Sequence, residues 1–246
     1  MKRDYVCRLR ILIDSLPPII RESRFLFLIA KILFDLPNEL FTFREDYNNG
    51  LINDLSKFYR EGSKHKIKRT AEGTDINSFC LRIIEDYIEN IKPTSVLDVG
   101  CGTGFLLGNI DNLLDNCELI GIDFSLPLIS KKLSKNNFKF IQGDINYSLK
   151  QFETNSIDFV ICAHVLEHLD NPKELIIELR RITRLKLILI CPLEKPFRWG
   201  LNHHVHFFES GEKFLEFVRS DYRSSNIYDS FERLGDCVYI ESLTEN

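Results

Sequence analysis

The 246 residues are 44% hydrophobic and 28% charged, with 12 Gly and 8 Pro, a balance that excludes disorder, collagen-like repeats and low-complexity scaffolding and requires a packed core. A formal charge of −4 provides no overall field for a polyanion, so nucleic acid is disfavoured as a partner. Seven cysteines without a C-x-x-C pair signal neither a disulfide framework nor a zinc site, and they fit a reducing, cytoplasmic compartment.

At the amino end, residues 1–31 hold seven Lys/Arg against three acids, which makes this arm +4 and leaves −8 on the remainder. Over 19–36 apolar residues crowd most of a helical surface. The run 25–36 has 12 residues and contains Lys31 and Asp35, too short and too charged to span a bilayer. Such a helix needs a cover: the main domain, a second copy of the chain in a homodimer, or a membrane surface met by its basic residues. Residues 37–73 are polar and aromatic by turns, with Asn48-Asn49-Gly50 as a loop and a basic cluster of Lys64, Lys66, Lys68 and Arg69. We expect a basic helical extension over 1–70 and a main domain over 71–246, divided between Glu61 and Asp75. Thr74 or Asp75 can cap a helix whose apolar positions Ile76, Phe79, Cys80, Ile83, Ile84, Tyr87, Ile88 and Ile91 follow the i, i+3, i+4, i+7 pattern. It ends at Pro93, and its one-sided stripe predicts packing on a sheet.

Beyond Pro93, short apolar runs at 95–99, 118–122, 138–142, 157–162 and 185–191 alternate with helical patterns at 104–114, 126–134 and 172–183. Strands alternating with helices predict a doubly wound α/β fold, a parallel sheet with helices on both faces. Asn171 caps the last of these helices, with Pro172 in its first turn. A helix near 211–218 leads to strands at 226–232 and 237–241, joined as an antiparallel hairpin through Leu234-Gly235-Asp236.

In V-L-D-V-G-C-G-T-G, residues 96–104, an apolar strand runs into Gly100, Gly102 and Gly104 and then into a helix. Such a turn lets a ligand approach the backbone at the carboxyl edge of a parallel sheet. Phe105 stands where the dinucleotide fingerprint G-x-G-x-x-G needs its third glycine, and no Gly-Lys-Ser/Thr follows for a P-loop. Asp98 would repel a pyrophosphate but attracts the ammonium and sulfonium of S-adenosylmethionine. Asp123, 23 residues after Gly100, can accept from both hydroxyls of a ribose. Phe124 can lie against an adenine face, and Asp144 at the third strand end can accept from the adenine amine. Arg69 could fold over the cofactor and pair with its methionine carboxylate.

Residues 75–191 resemble the class I, Rossmann-like S-adenosylmethionine-dependent methyltransferases, in particular their small-molecule group. Asp98-Val99-Gly100-Cys101-Gly102-Thr103-Gly104 carries the family's E/D-x-G-x-G-x-G, Asp123 its ribose acid and Gly143-Asp144-Ile145 its adenine motif. N-S-I-D-F-V-I-C-A-H-V-L-E-H-L, 155–169, is similar to its fourth-strand region. The resemblance implies a seven-stranded, mostly parallel sheet whose last strand is antiparallel. It also implies S-adenosylmethionine as cofactor, with Cys101, Ile145 and Ala163 among its contacts.

Past the fifth strand, residues 191–208 hold half of the six histidines and the single tryptophan. This loop leaves the carboxyl edge beside the cofactor and can reach an acceptor. His204 is the candidate general base for a hydroxyl, with His206 in reserve; in an extended stretch these two share a face and His203 takes the other. Two histidines alone offer no third ligand, so no metal centre is expected. The fourth strand ends in Cys162-Ala163-His164-Val165 and lacks the Asn/Asp-Pro-Pro-Tyr/Phe of amino-adenine methyltransferases. The expected acceptor is a small molecule, a sugar or a lipid-linked glycan. The rival readings are a non-catalytic S-adenosylmethionine-binding regulatory subunit and an N-methyltransferase acting on RNA or protein. The extension would lid the acceptor site, mediate association or touch a membrane, and Cys101, Cys162 and Cys191 would be buried, inert thiols.

Overall fold

The structure is a computed structural model that describes residues 3–34, 39–62, 76–124, 138–196, 202–220 and 227–243. Its amino-terminal segment folds as α1 (Arg3–Ser15), α2 (Pro18–Arg21), α3 (Arg24–Phe34), α4 (Glu39–Asn48) and α5 (Leu55–Gly62). The single helix expected over 19–36 is therefore two. Glu22 N–H closes on Pro18 O at 2.8 Å and Ser23 N–H on Ile20 O at 3.0 Å, ending the first turn without the Gly or Pro that would have marked the break. The part of that expectation on 35–38 lies outside the described residues. Helices α1, α4 and α5 fall within the helical extension expected over 1–70, an expectation without bounds for each of them; Asp54 marks the start of α5 by accepting from Lys57 N–H at 2.8 Å. The expected domain division falls mostly on 63–75, outside the described residues.

α6 (Ser78–Ile91) starts later than its hydrophobic stripe indicates. Its cap is Asn77, in place of Thr74 or Asp75, because Asn77 Oδ1 accepts from Phe79 N–H at 3.0 Å and Cys80 N–H at 2.9 Å. The strands follow as β1 (Ser95–Val99), β2 (Glu118–Asp123), β3 (Phe138–Gln142), β4 (Ile157–Ala163), β5 (Thr183–Pro192), β6 (Tyr228–Arg233) and β7 (Asp236–Ser242). They form one seven-stranded sheet of order β3-β2-β1-β4-β5-β7-β6. The first five are parallel, and β7 runs antiparallel to both β5 and β6.

Strand periodicity puts alternate side chains into two cores. Leu97, Val99, Ile120, Ile122, Val160 and Leu187 face α8 (Ile145–Ser148), α9 (Pro172–Ile182) and α10 (Gly211–Arg219). Val96, Leu119, Phe159, Ile161 and Ile188 face α6 and α7 (Phe105–Asp111). Helices on both faces make the sheet doubly wound, and the order reverses between β1 and β4, where open α/β sheets bind ligands. Asn171 precedes α9 but makes no capping bond; its Nδ2 donates to Glu174 Oε1 at 3.3 Å. The helix expected over 126–134 lies outside the described residues.

Buried polar contacts fasten the amino-terminal helices to this frame. Asp4 accepts from Ser78 N–H and Oγ–H at 2.9 and 2.7 Å. Asp236, fully buried at the β6–β7 turn, accepts from Arg10 Nη2 at 2.6 Å and Asn77 Nδ2 at 2.7 Å. Tyr47 donates to Asp170 at 3.1 Å. Among the described residues no helix is long and apolar enough to cross a membrane.

Candidate active site

Gly100, Gly102 and Gly104 all take left-handed backbone, with φ of 78°, 53° and 74°, a region glycine enters without the Cβ penalty. The turn is pinned from both sides. Gly100 and Cys101 N–H donate to Ile122 O at 2.8 and 3.1 Å, and Gly102 N–H donates to Asp123 Oδ2 at 2.9 Å. On the other side, a Cβ on Gly100 would lie 2.3 Å from Val165 Cγ2. The resulting cleft is lined by Asp98, Gly100, Cys101, Thr103, Phe105 and Ala163. Asp98 is only 3% exposed, so its carboxylate acts through a low-dielectric surround that strengthens its pull on a cation.

Half-buried Asp123 ends β2 beside this cleft, spending one oxygen on the glycine turn. Phe124 follows, its carbonyl accepting from Gln142 Nε2 at 3.2 Å. Asp144 caps α8 by accepting from Asn146 N–H at 2.9 Å, so one of its oxygens already has a structural duty. The side chain of Ile145, expected at the cofactor, is instead 5% exposed in the core shared with Leu149; as the first residue of the helix that Asp144 caps, it turns inward. Arg69 lies outside the described residues.

Beyond Val165 a 3-10 turn, Leu166–His168, carries the chain under the 202–208 loop. That loop is not extended: Val205 and His206 N–H both donate to Glu167 O, at 2.8 and 3.2 Å. The curl sends the three histidines to three places. His203 packs among Phe43 and Phe58, at centroid distances of 4.8 and 5.2 Å. His206 donates through Nε2 to Leu169 O at 2.8 Å, so the face it was expected to share with His204 does not exist, and its free proton acceptor is not Nε2. His204 alone turns inward, its Nδ1 on Glu194 Oε1 and its Nε2 4.0 Å from Glu167 Oε1.

Glu167 and His168 complete this cluster, together with Tyr59 from α5. Tyr59 Oη–H donates to His203 O at 2.6 Å and meets His168 Nδ1 at 2.8 Å. Burial pushes the Glu167 carboxyl up, but His164, His168 and His204 around it bring it below the usual carboxylate range. Burial, reinforced by His204, lowers His168 to about 4 and keeps its imidazole neutral at pH 7. Burial also raises the Cys162 and Cys191 thiols well above their ordinary value, so these are inert packing groups. Of this cluster only His204 was anticipated. Glu167-His168 had been read as part of a strand-end likeness, and Glu194 and Tyr59 gave no local signal.

Residues 97–191 match the family described as a methyltransferase domain. That span runs from the β1 carboxylate and its glycine turn through β5, and so covers the cleft. Residues 97–191, less than half of the chain, thus resemble a methyltransferase domain. The chain is 34% identical over 97 residues to the mitochondrial ubiquinone biosynthesis O-methyltransferase of Saccharomyces cerevisiae, covering 38% of this chain and 31% of that protein. It is also similar to the O-antigen chain terminator bifunctional methyltransferase/kinase WbdD of Escherichia coli, 26% identical over 171 residues, 63% of this chain and 24% of that one. The chain thus spans about a third or less of these curated relatives. Among solved structures, an S-adenosylmethionine-dependent methyltransferase from Aquifex aeolicus superposes with a TM-score of 0.53 at 17% identity, covering 75% of this chain and 98% of that one, and shares the fold.

The donor set of this cleft fits S-adenosylmethionine. Buried Asp98 suits its positive amino-acid end, and Asp123 at the end of β2 suits ribose hydroxyls. A dinucleotide pyrophosphate would meet two carboxylates here and no third glycine, because position 105 is Phe.

Proposed function

We propose that the chain is an S-adenosylmethionine-dependent O-methyltransferase whose acceptor is a hydroxyl on a small molecule, a sugar or a lipid-linked glycan. The observation that carries this reading is the adjacency of two half-sites across one contact: the glycine turn rests on Val165, and the Glu167–His168–His204 cluster begins two residues later. S-adenosylmethionine supplies a methyl group on positively charged sulfur. The chain's own work is positioning and proton management. Asp98 and Asp123 hold the donor, the curled 202–208 loop roofs the acceptor side, and α4 and α5 press on that loop through Arg44 Nη2 to Asn202 Oδ1 at 3.0 Å and Tyr59 to His203 O. Excluding water here strengthens every polar contact made to the acceptor. The name of the yeast ubiquinone relative supports an oxygen acceptor, and that of the bacterial O-antigen relative supports a glycan.

The assignment of His204 to the acceptor hydroxyl is supported by Glu194, which holds Nδ1–H and leaves Nε2 facing the cluster. With isotopically labelled S-adenosylmethionine and a panel of phenolic, sugar and lipid-linked acceptors, label should appear on oxygen. His204→Ala should lower kcat by about 10²–10⁴-fold with little change in S-adenosylhomocysteine affinity. Tight cofactor binding with no transfer to any acceptor would favour the regulatory-subunit reading, and turnover unaffected by His204→Ala would leave transfer to proximity alone.

The chain would work in a reducing cytoplasmic compartment, next to a membrane. On α3, Phe25, Leu28, Ile29 and Ile32 are 70%, 45%, 37% and 81% exposed, and their i, i+3, i+4, i+7 spacing makes one apolar stripe on the +4 arm. This support favours an anionic lipid surface, which also suits a lipid-linked acceptor. The wild type should sediment with vesicles containing phosphatidylserine, and Phe25→Ser/Ile32→Ser should reduce the bound fraction at least about fivefold, the order expected from losing two inserted side chains. A wild type that ignores vesicles but runs as a dimer, and a double variant that is monomeric, would assign the stripe to a second copy.

A further inference from the structure

The cluster beside the acceptor loop contains an electrostatic arrangement that base catalysis leaves unexplained. Tyr59 donates its hydroxyl proton to His203 O, so the bond it shares with His168 runs from Nδ1–H of the histidine to the tyrosine oxygen. The lone pair of His168 is therefore on Nε2. The same reasoning applies to His204, whose Nδ1–H is held by the Glu194 carboxylate, itself steadied by Asn202 Nδ2 at 3.1 and 3.2 Å. Two imidazole lone pairs thus converge with a carboxylate. One ligand atom from each of Glu167, His168 and His204 lies within 4.8 Å of the others. Glu167 is wholly buried, and its Oε1 takes no hydrogen bond among the described residues; the nearest nitrogens are His164 Nδ1 at 3.4 Å and His204 Nε2 at 4.0 Å. Cys191 Sγ donates to the other carboxylate oxygen, Oε2, at 3.4 Å; these donors leave the two imidazole lone pairs unmet, and acceptors gathered in a dry site cost free energy unless a positive charge sits among them.

We propose that Glu167, His168 and His204 bind a divalent first-row transition-metal ion. Two imidazoles and one carboxylate are a borderline donor set, suited to Zn²⁺, Mn²⁺, Fe²⁺ or Co²⁺ and poorly suited to Ca²⁺, which prefers oxygen ligands throughout. The outer contacts have the form that orients metal-bound histidines, each ring donating its second N–H to a carboxylate or hydroxyl. With three protein ligands, positions remain open for an acceptor oxygen. Resting on the methyltransferase reading, the ion's task is to bind the acceptor hydroxyl and favour its oxyanion. The O–H proton passes to solvent, an oxygen lone pair forms the new O–CH₃ bond, and the pair of the broken S–CH₃ bond returns to sulfur. Under this assignment His204 acts through the ion, and Tyr59 and Glu194 are positioning residues.

The test uses the full chain stripped with a chelator and titrated with Co²⁺. A visible d–d band saturating at one ion per chain is expected. Glu167→Gln and His168→Gln should each weaken Co²⁺ binding at least tenfold, and Glu194→Gln should weaken it about 10–100-fold, the range for an outer contact. No saturable band with the wild type overturns the proposal, whatever the variants do. Equal affinity in folded Glu167→Gln overturns it too. Calorimetry with S-adenosylhomocysteine on the same stripped protein separates the two readings: cofactor binding without Co²⁺ binding removes the metal and leaves the methyltransferase, and Co²⁺ binding without cofactor binding does the reverse.

Discussion

Gly100→Ala is expected to cost the folded protein about 2–5 kcal/mol and to weaken S-adenosylhomocysteine binding more than tenfold. About 1–2 kcal/mol comes from forcing an L-residue into left-handed backbone. A further ~1–3 kcal/mol comes from overpacking, because the new methyl would stand 2.3 Å from Val165 Cγ2. Relief requires the turn or Val165 to move, and either movement displaces the backbone that faces the cofactor. Gly50 provides the control: it too is left-handed, with φ of 71°, but a Cβ there meets nothing within 4 Å. Gly50→Ala should therefore lower stability by about 1–2 kcal/mol and leave cofactor affinity alone. Chemical denaturation and calorimetry read both quantities, and equal effects of the two substitutions on affinity would contradict the assignment of the turn to the cofactor.

Asp236→Ala should destabilise the chain by about 3–5 kcal/mol, the usual cost of removing one partner from a buried ion pair. Asp236 is wholly buried, and the Arg10 guanidinium that reaches it across 2.6 Å has a side chain only 13% exposed. Arg10 also donates to Gly235 O. Burial acts to lower the Arg10 pKa, yet Asp236 holds it above its ordinary value, so the carboxylate outweighs the desolvation. Without that carboxylate the Arg10 guanidinium keeps only Gly235 O and loses its counter-charge, and Asn77 Nδ2 loses its acceptor. Since Arg10 belongs to α1 and Asp236 to the β6–β7 turn, the loss should appear as faster proteolysis within residues 3–34 as well as in the denaturation midpoint. A midpoint within about 0.5 kcal/mol of wild type, the range of ordinary surface substitutions, would show that the pair does not anchor the helix.

The sheet was readable because its instructions are local. Branched apolar runs such as Val96–Val99 and Ile157–Cys162 can be buried on both faces only in a parallel sheet flanked by helices. The three left-handed glycines announce their turn through the residue type itself. Boundaries set by one side chain were harder: the cap is Asn77, which also bonds Asp236, 159 positions away. The extension was readable only as basic and partly helical, since α4 and α5 owe their place to distant contacts, with Phe43 and Leu55 1% exposed and Tyr59 bonded to the 202–208 loop.

The same limit governed the acceptor side. His204 was identified from a histidine-rich loop, but its pairing with His206 assumed an extended backbone. The loop instead curls around Glu167 O, which no side-chain pattern encodes. Glu167 and His168 stand 35 or more positions before His204 and come beneath it because the β4 and β5 ends are neighbours in the sheet. Two of the three proposed ligands, Glu167 and His168, thus come to His204 through the topology.

The central claim, that the cleft between Asp98 and Asp123 holds S-adenosylmethionine, is tested most directly by isothermal titration of the purified chain with S-adenosylhomocysteine, with NAD as the comparison ligand and Asp123→Ala as the variant. The account predicts one S-adenosylhomocysteine per chain and no saturable heat with NAD. The variant should remain folded and bind more weakly by about 1.5–3 kcal/mol, the range for hydrogen bonds to a charged group. No binding of S-adenosylhomocysteine to the folded wild type, or an affinity that Asp123→Ala leaves unchanged, would contradict it.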